Sequence, residues 1–106
     1  MDKISFSELS AEVRDFSQAR DWEKFHTPKN LAMAITGESG ELAAEFQWLS
    51  GEESELDHLS EAKLESIRLE VADVQIYLLR LAEKLQIDIP KAVLDKIAIN
   101  EERFKI

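Results

Sequence analysis

The sequence predicts an all-α fold, a four-helix bundle built from one domain over residues 1–106 and assembled into an oligomer. Three Gly and two Pro in 106 residues leave little material for the tight turns of an all-β chain. Helix formers (Ala, Leu, Glu, Lys, Gln and Arg) dominate the composition. Apolar residues also recur at steps of three and four along several segments that carry helix punctuation at their ends.

The first helix starts at a capping box of Ser5 and Glu8, with Ile4 and Leu9 as its hydrophobic staple. Leu9, Val13 and Phe16 then form an apolar stripe toward residue 20. Thr27-Pro28, a hydroxyl cap followed by proline, opens a second helix that is expected to reach Trp48 or Leu49. Residues 50–58 are polar and acidic without periodicity, and read as a loop. The third and longest helix spans Ser60 to about Leu85, and residues 86–90 form a turn. Asp88 caps a fourth helix over residues 89–104.

The third helix carries two apolar stripes. Leu64, Ile67, Val71, Val74, Leu78, Leu81 and Leu85 alternate steps of three and four. Leu69, Ala72, Ile76 and Leu79 lie well around the helix from them. One stripe is enough to pack a helix onto a single core; two ask for burial on most sides, which so short a chain obtains best by self-association.

The formal charge of −9 argues against binding nucleic-acid polymers or anionic lipid, both of which need a basic patch. An acidic protein that handles a polyanion needs a divalent cation between the two. With no cysteine, disulfides, thiol catalysis and zinc–thiolate sites are excluded. No apolar run approaches the roughly 20 residues that cross a bilayer, and Met-Asp-Lys-Ile-Ser does not begin a signal peptide. A soluble, cytoplasmic protein is expected.

Several acids fall where helix periodicity calls for apolar residues. The stripe Leu31, Ile35, Leu42, Leu49 of the second helix is completed by Glu38 and Glu45, with Glu41 on the adjoining edge. On the third helix Glu70 and Asp73 project from between the two stripes, with Tyr77 one turn on. Unpaired charge on a buried face is costly, and four converging carboxylates repel unless cations neutralise them. All-oxygen ligation selects a hard ion, Mg²⁺ or Mn²⁺. One acidic pair alone would be an ordinary solvated face, the reading given to Glu23, Glu52, Glu53, Glu55, Glu61, Glu65, Glu101 and Glu102. Glu45 is either a helper of the metal site or a salt-bridge member. Gly37 and Gly40 bracket Glu38 inside a helix, at about 1 kcal/mol each relative to alanine, which marks a close approach by a neighbouring helix or a ligand.

Gly-Glu-Ser-Gly-Glu-Leu-Ala-Ala-Glu-Phe-Gln-Trp (37–48) followed by Leu-Glu-Val-Ala-Asp-Val-Gln-Ile-Tyr-Leu (69–78) resembles the MazG-type nucleotide pyrophosphohydrolases, in particular the compact branch that includes dCTP pyrophosphatases. Residues 20–31 and 95–104 extend the resemblance over almost the whole chain. Many members carry paired glutamates where this chain has Gly37-Glu38, a departure the compact branch shares. The resemblance implies a MazG-like bundle and a homo-oligomer, a tetramer built as a dimer of dimers, with sites near subunit interfaces. It implies Mg²⁺-dependent hydrolysis of a (deoxy)nucleoside triphosphate, dCTP-like substrates favoured, to monophosphate and pyrophosphate. The metal ligands map onto Glu38, Glu41, Glu70 and Asp73, with Glu41 or Glu38 accepting the proton of an attacking water.

Trp22 and Trp48 are candidates to wall in a base, packing being the plainer role of a single Trp. Lys96, Asn100 and Arg103 share one side of the last helix, which is either a solvated face or a substrate contact, the two cations suited to phosphates and Asn100 to a base or sugar edge. Tyr77 is a candidate floor for the sugar. His26 is either a phosphate contact or a capping and packing residue, and His58 belongs to the loop. Related enzymes often have tyrosine where Phe104 stands, so a hydroxyl contact is missing there. A broad (d)NTP pyrophosphatase and a non-catalytic helical dimerisation module are the rival readings.

Overall fold

The computed structural model describes residues 3–106 as four helices: α1 (Phe6–Ala19), α2 (Pro28–Ala44), α3 (Glu61–Lys84) and α4 (Ile89–Arg103). Short 3-10 turns cover Glu23–Phe25 and Leu56–His58, and the described residues hold no strand. The all-α expectation holds.

Local chemistry sets the boundaries. The Glu8 amide donates to Ser5 Oγ at 3.1 Å and the Ser5 amide to Glu8 Oε1 at 3.2 Å, the expected capping box. Ile4 stays exposed, so the staple adds little burial. At the end of α1 the amides of Trp22 and Asp21 reach back to the carbonyls of Ser17 and Gln18, both at 3.0 Å. Asp21 takes φ 55°, the left-handed residue such a terminus needs. The same motif closes α3, with Gln86 at φ 56° and the Ile87 amide on the Ala82 carbonyl at 2.8 Å. Thr27, Ser60 and Asp88 cap α2, α3 and α4 through their side chains.

α2 is shorter than expected. Beyond Ala44 the chain tightens into turns, with the Phe46 amide on the Ala43 carbonyl and the Leu49 amide on the Phe46 carbonyl, each at 3.0 Å. Residues 50–58 are not featureless either. Ser50 and Glu53 exchange backbone-to-side-chain bonds of 2.8 and 3.1 Å ahead of the 3-10 turn.

α2 and α3 make the main contact of the fold, and α1 lies against α3. They run antiparallel, because Glu45 meets Lys63 and Ser66 while Glu38 meets Glu70 and Asp73. α2 turns its expected stripe inward: Leu31 is buried, and Ile35, Glu38, Leu42, Glu45 and Leu49 are half-buried.

The bundle expectation needs correction at α4, which makes only slight contact with the rest of the chain. Its Val93, Leu94, Ile97 and Ile99 are exposed. Both stripes of α3 are also open over much of their length, at Leu64, Val71, Leu78 and Leu85 on one side and Leu69 and Ile76 on the other. Among the described residues only Leu31, Ile67, Leu79 and Ala82 form a fully buried apolar core. The accessible surface is 8373 Å², against about 6000 Å² for a compact monomer of this mass. The radius of gyration is 16.5 Å, against about 13 Å for a compact domain of this length. A single chain leaves its apolar faces uncovered.

Candidate metal and nucleotide site

Glu38 on α2 and Glu70 and Asp73 on α3 each bring a carboxylate oxygen to within 4.8 Å of the others. The α2–α3 packing places them together. Ser66, Ile67, Glu70, Val74, Gln75 and Tyr77 are the half-buried or buried positions of α3 between residues 66 and 77; Glu70 stands in that stripe where an apolar residue is expected, and Asp73 lies exposed beside it. Glu70 Oε2 is buried with no hydrogen-bond partner. An anionic oxygen in that state is expensive, and a cation beside it removes the cost. Three carboxylates, one of them orphaned, fit a hard divalent ion.

Burial pushes the Glu38 carboxyl above its ordinary range, and Asp73 and Glu41 add to the push. Burial likewise raises Glu70, with repulsion from Asp73, Glu41, Glu38 and Glu45 behind it. Glu41 is exposed and stands outside the tight group, yet its charge is felt by both.

These shifts make a prediction. A carboxyl raised by folding holds its proton to higher pH in the folded state than in the unfolded one, so stability falls as pH rises through the carboxylate range. In chelator, Glu70→Gln should therefore gain in Tm relative to the parent as pH climbs from about 4.5 to about 7, and added Mg²⁺ should cancel the gain. A Tm difference that stays flat with pH would refute the assignment.

Glu45 is resolved as a salt-bridge member. Ser66 Oγ donates to its Oε2 at 2.7 Å and Lys63 Nζ lies 3.0 Å from its Oε1, which hold its carboxyl below the usual range. Gly37 and Gly40 admit no close neighbour from within the chain: a Cβ at either would meet nothing within 4 Å. The tight crossing between helices of one chain is thus ruled out.

An aromatic patch adjoins the acids. The His26 ring sits 6.4 Å from that of Tyr77, one turn beyond Asp73, and 6.2 Å from that of Trp22, which meets Phe16 edge-on at 5.6 Å. The structure therefore brings together Trp22, His26 and Tyr77. It does not bring in Trp48, which is 87% exposed, or Lys96, Asn100 and Arg103, which ride on the unpacked α4.

Glu23, expected on a solvated face, is instead half-buried between Arg80 and Lys84. The Lys84 bond and the Arg80 charge hold its carboxyl below the usual range. Arg80 itself carried no sequence signal of function beyond its place one turn past Tyr77.

No family model matches the chain. Human dCTP pyrophosphatase 1 is 43% identical over 90 residues, which is 85% of this chain and 53% of that protein. The bovine dCTP pyrophosphatase 1 is 41% identical over 92 residues, 87% of this chain and 54% of that protein. The chain thus spans about half the length of these relatives. A crystal structure of a pyrophosphatase from Archaeoglobus fulgidus superposes with a TM-score of 0.88 at 37% identity, covering 100% of this chain and 97% of that one.

Proposed function

The chain belongs to the MazG-like nucleotide pyrophosphohydrolase family, and from that premise we propose that it hydrolyses deoxynucleoside triphosphates, dCTP-like ones foremost, to monophosphate and pyrophosphate. The observation that carries the proposal is the buried, unpartnered Glu70 oxygen within a three-carboxylate cluster on facing helices. In this reading Glu38, Glu70 and Asp73 hold Mg²⁺, with Glu41 at their exposed side. Bound there, the ion supplies charge neutralisation for the phosphate oxygens and acidifies water. Glu41, outside the tight group, is the carboxylate free to accept the proton of the attacking water, with Glu38 second to it.

Trp22 and Tyr77 wall the nucleoside. Trp48, Lys96, Asn100 and Arg103 reach a site only when copies assemble, and the uncovered faces of α3 and α4 support assembly into a homotetramer, a dimer of dimers. No described helix is long and apolar enough to cross a membrane, and the proposed setting is the cytoplasmic nucleotide pool.

The test is a panel of all ribo- and deoxynucleoside triphosphates with Mg²⁺, assayed for pyrophosphate. A dCTP preference of about tenfold or more in kcat/KM is expected. Even rates across the panel would favour a broad pyrophosphatase, and no turnover of any triphosphate would sink the enzyme.

A further inference from the structure

Arg80 is among the most deeply buried side chains of the described chain, at 1% exposure, and it carries a permanent charge. It pairs with Glu23 and with Glu83 Oε2 at 3.1 Å. Lys84 Nζ holds the other Glu23 oxygen at 2.6 Å. Two cations and two carboxylates thus fasten the 3-10 turn Glu23–Phe25 onto α3. That turn is flanked by Trp22 and His26, so the clamp positions the aromatic patch relative to Asp73 and Tyr77 on the same helix. So deep a guanidinium cannot itself meet a phosphate.

Its remaining contact is the informative one. Arg80 Nε donates to His26 Nδ1 at 3.4 Å. An arginine Nε always carries its hydrogen, so Nδ1 must be bare, and a neutral imidazole then carries its proton on Nε2. No hydrogen bond among the described residues engages that Nε2.

We propose that Arg80 is a positioning residue that fixes His26 in the Nε2–H tautomer, so that the imidazole offers one donor to an uncharged acceptor oxygen of the nucleoside, beside Trp22 and Tyr77. The proposal rests on the reading of the chain as a nucleotide hydrolase. The groups facing His26 are Arg80 and Lys84 of α3 and Glu23 of the turn. Burial first and the Arg80 charge second hold its pKa below the ordinary value, while Glu23 pulls the other way. An imidazole kept neutral beside two cations suits a carbonyl or hydroxyl oxygen, a role distinct from both the phosphate contact and the capping or packing role weighed for it from sequence.

The test begins on the ligand-free protein. A long-range ¹H–¹⁵N spectrum of the imidazoles, with His58 as internal reference, should show His26 at about pH 7 with a bare Nδ1 and a protonated Nε2. In Arg80→Met, where Glu23 keeps Lys84, His26 should pass to mixed tautomers and titrate at a higher pH than in the parent. KM for the preferred triphosphate should rise about tenfold, with kcat within about threefold of the parent. The variant's KM should also gain a pH dependence between about 6 and 8 that the parent lacks. A purely structural clamp would not move the tautomer or the pH profile in this way. A parent His26 that carries its proton on Nδ1, or is charged at neutral pH, overturns the proposal even if Arg80→Met fails to fold. So does an unchanged His26 spectrum in a folded variant. If no triphosphate is hydrolysed while the spectra come out as expected, the assigned function fails and the Arg80–His26 arrangement stands.

Discussion

Asp73→Asn and Glu38→Gln are each expected to lower turnover about a thousandfold and to weaken Mg²⁺ binding by about a hundredfold, with the helical fold intact. Each variant keeps side-chain volume and removes one charge from a cluster in which three carboxylate oxygens lie within 4.8 Å of one another. In the metal-free protein that charge is a burden, since burial and mutual repulsion already push Glu38 and Glu70 upward. The metal-free Tm should therefore hold or rise while the Mg²⁺-bound Tm falls, because the ion stabilises only the state that binds it. Calorimetric titration with Mg²⁺, alongside pyrophosphate release, measures both effects. Variants that bind and turn over like the parent would hand the fold to the non-catalytic interaction module.

A second large effect is expected at α4. Leu94 is 67% exposed and Ile97 is 47% exposed in the single chain, so glutamate at either leaves the isolated chain undisturbed. If α4 packs against another copy, burying such side chains is worth about 1.5–3 kcal/mol each. Leu94→Glu with Ile97→Glu should then weaken association by at least about a hundredfold. Light scattering at micromolar concentration should give about four times the 12.1 kDa chain mass for the parent and a smaller species for the double variant. Activity should fall with it, because Lys96, Asn100 and Arg103 lie on the same helix. A parent that scatters as a monomer refutes the assembly, and an unchanged mass in the double variant clears α4 of a part in it.

Much of this is legible in the sequence. Capping residues announce helix starts because the amides they satisfy are neighbours in sequence, and Ser5, Thr27, Ser60 and Asp88 all do so. Periodicity placed Glu38 and Glu70 on inward faces, because helical spacing alone determines which residues share a side. The end of α2 was not legible: its last expected turn gives way to irregular turns near Glu45, whose partners Lys63 and Ser66 are far along the chain.

What the sequence by itself determined is the helical class, the helix starts and the pair of acid-bearing faces, since each depends on residues within a turn or two of one another. Only the tertiary structure decided which charges are paired. Glu45 is open in sequence between the metal site and a salt bridge, and Glu23 reads as solvated, yet both meet cations, whereas Glu38 and Glu70 meet carboxylates. That difference lies in contacts between residues on separate segments, as does the burial of Arg80 and its hold on His26. Periodicity states which way a side chain faces, and packing alone states what it finds there.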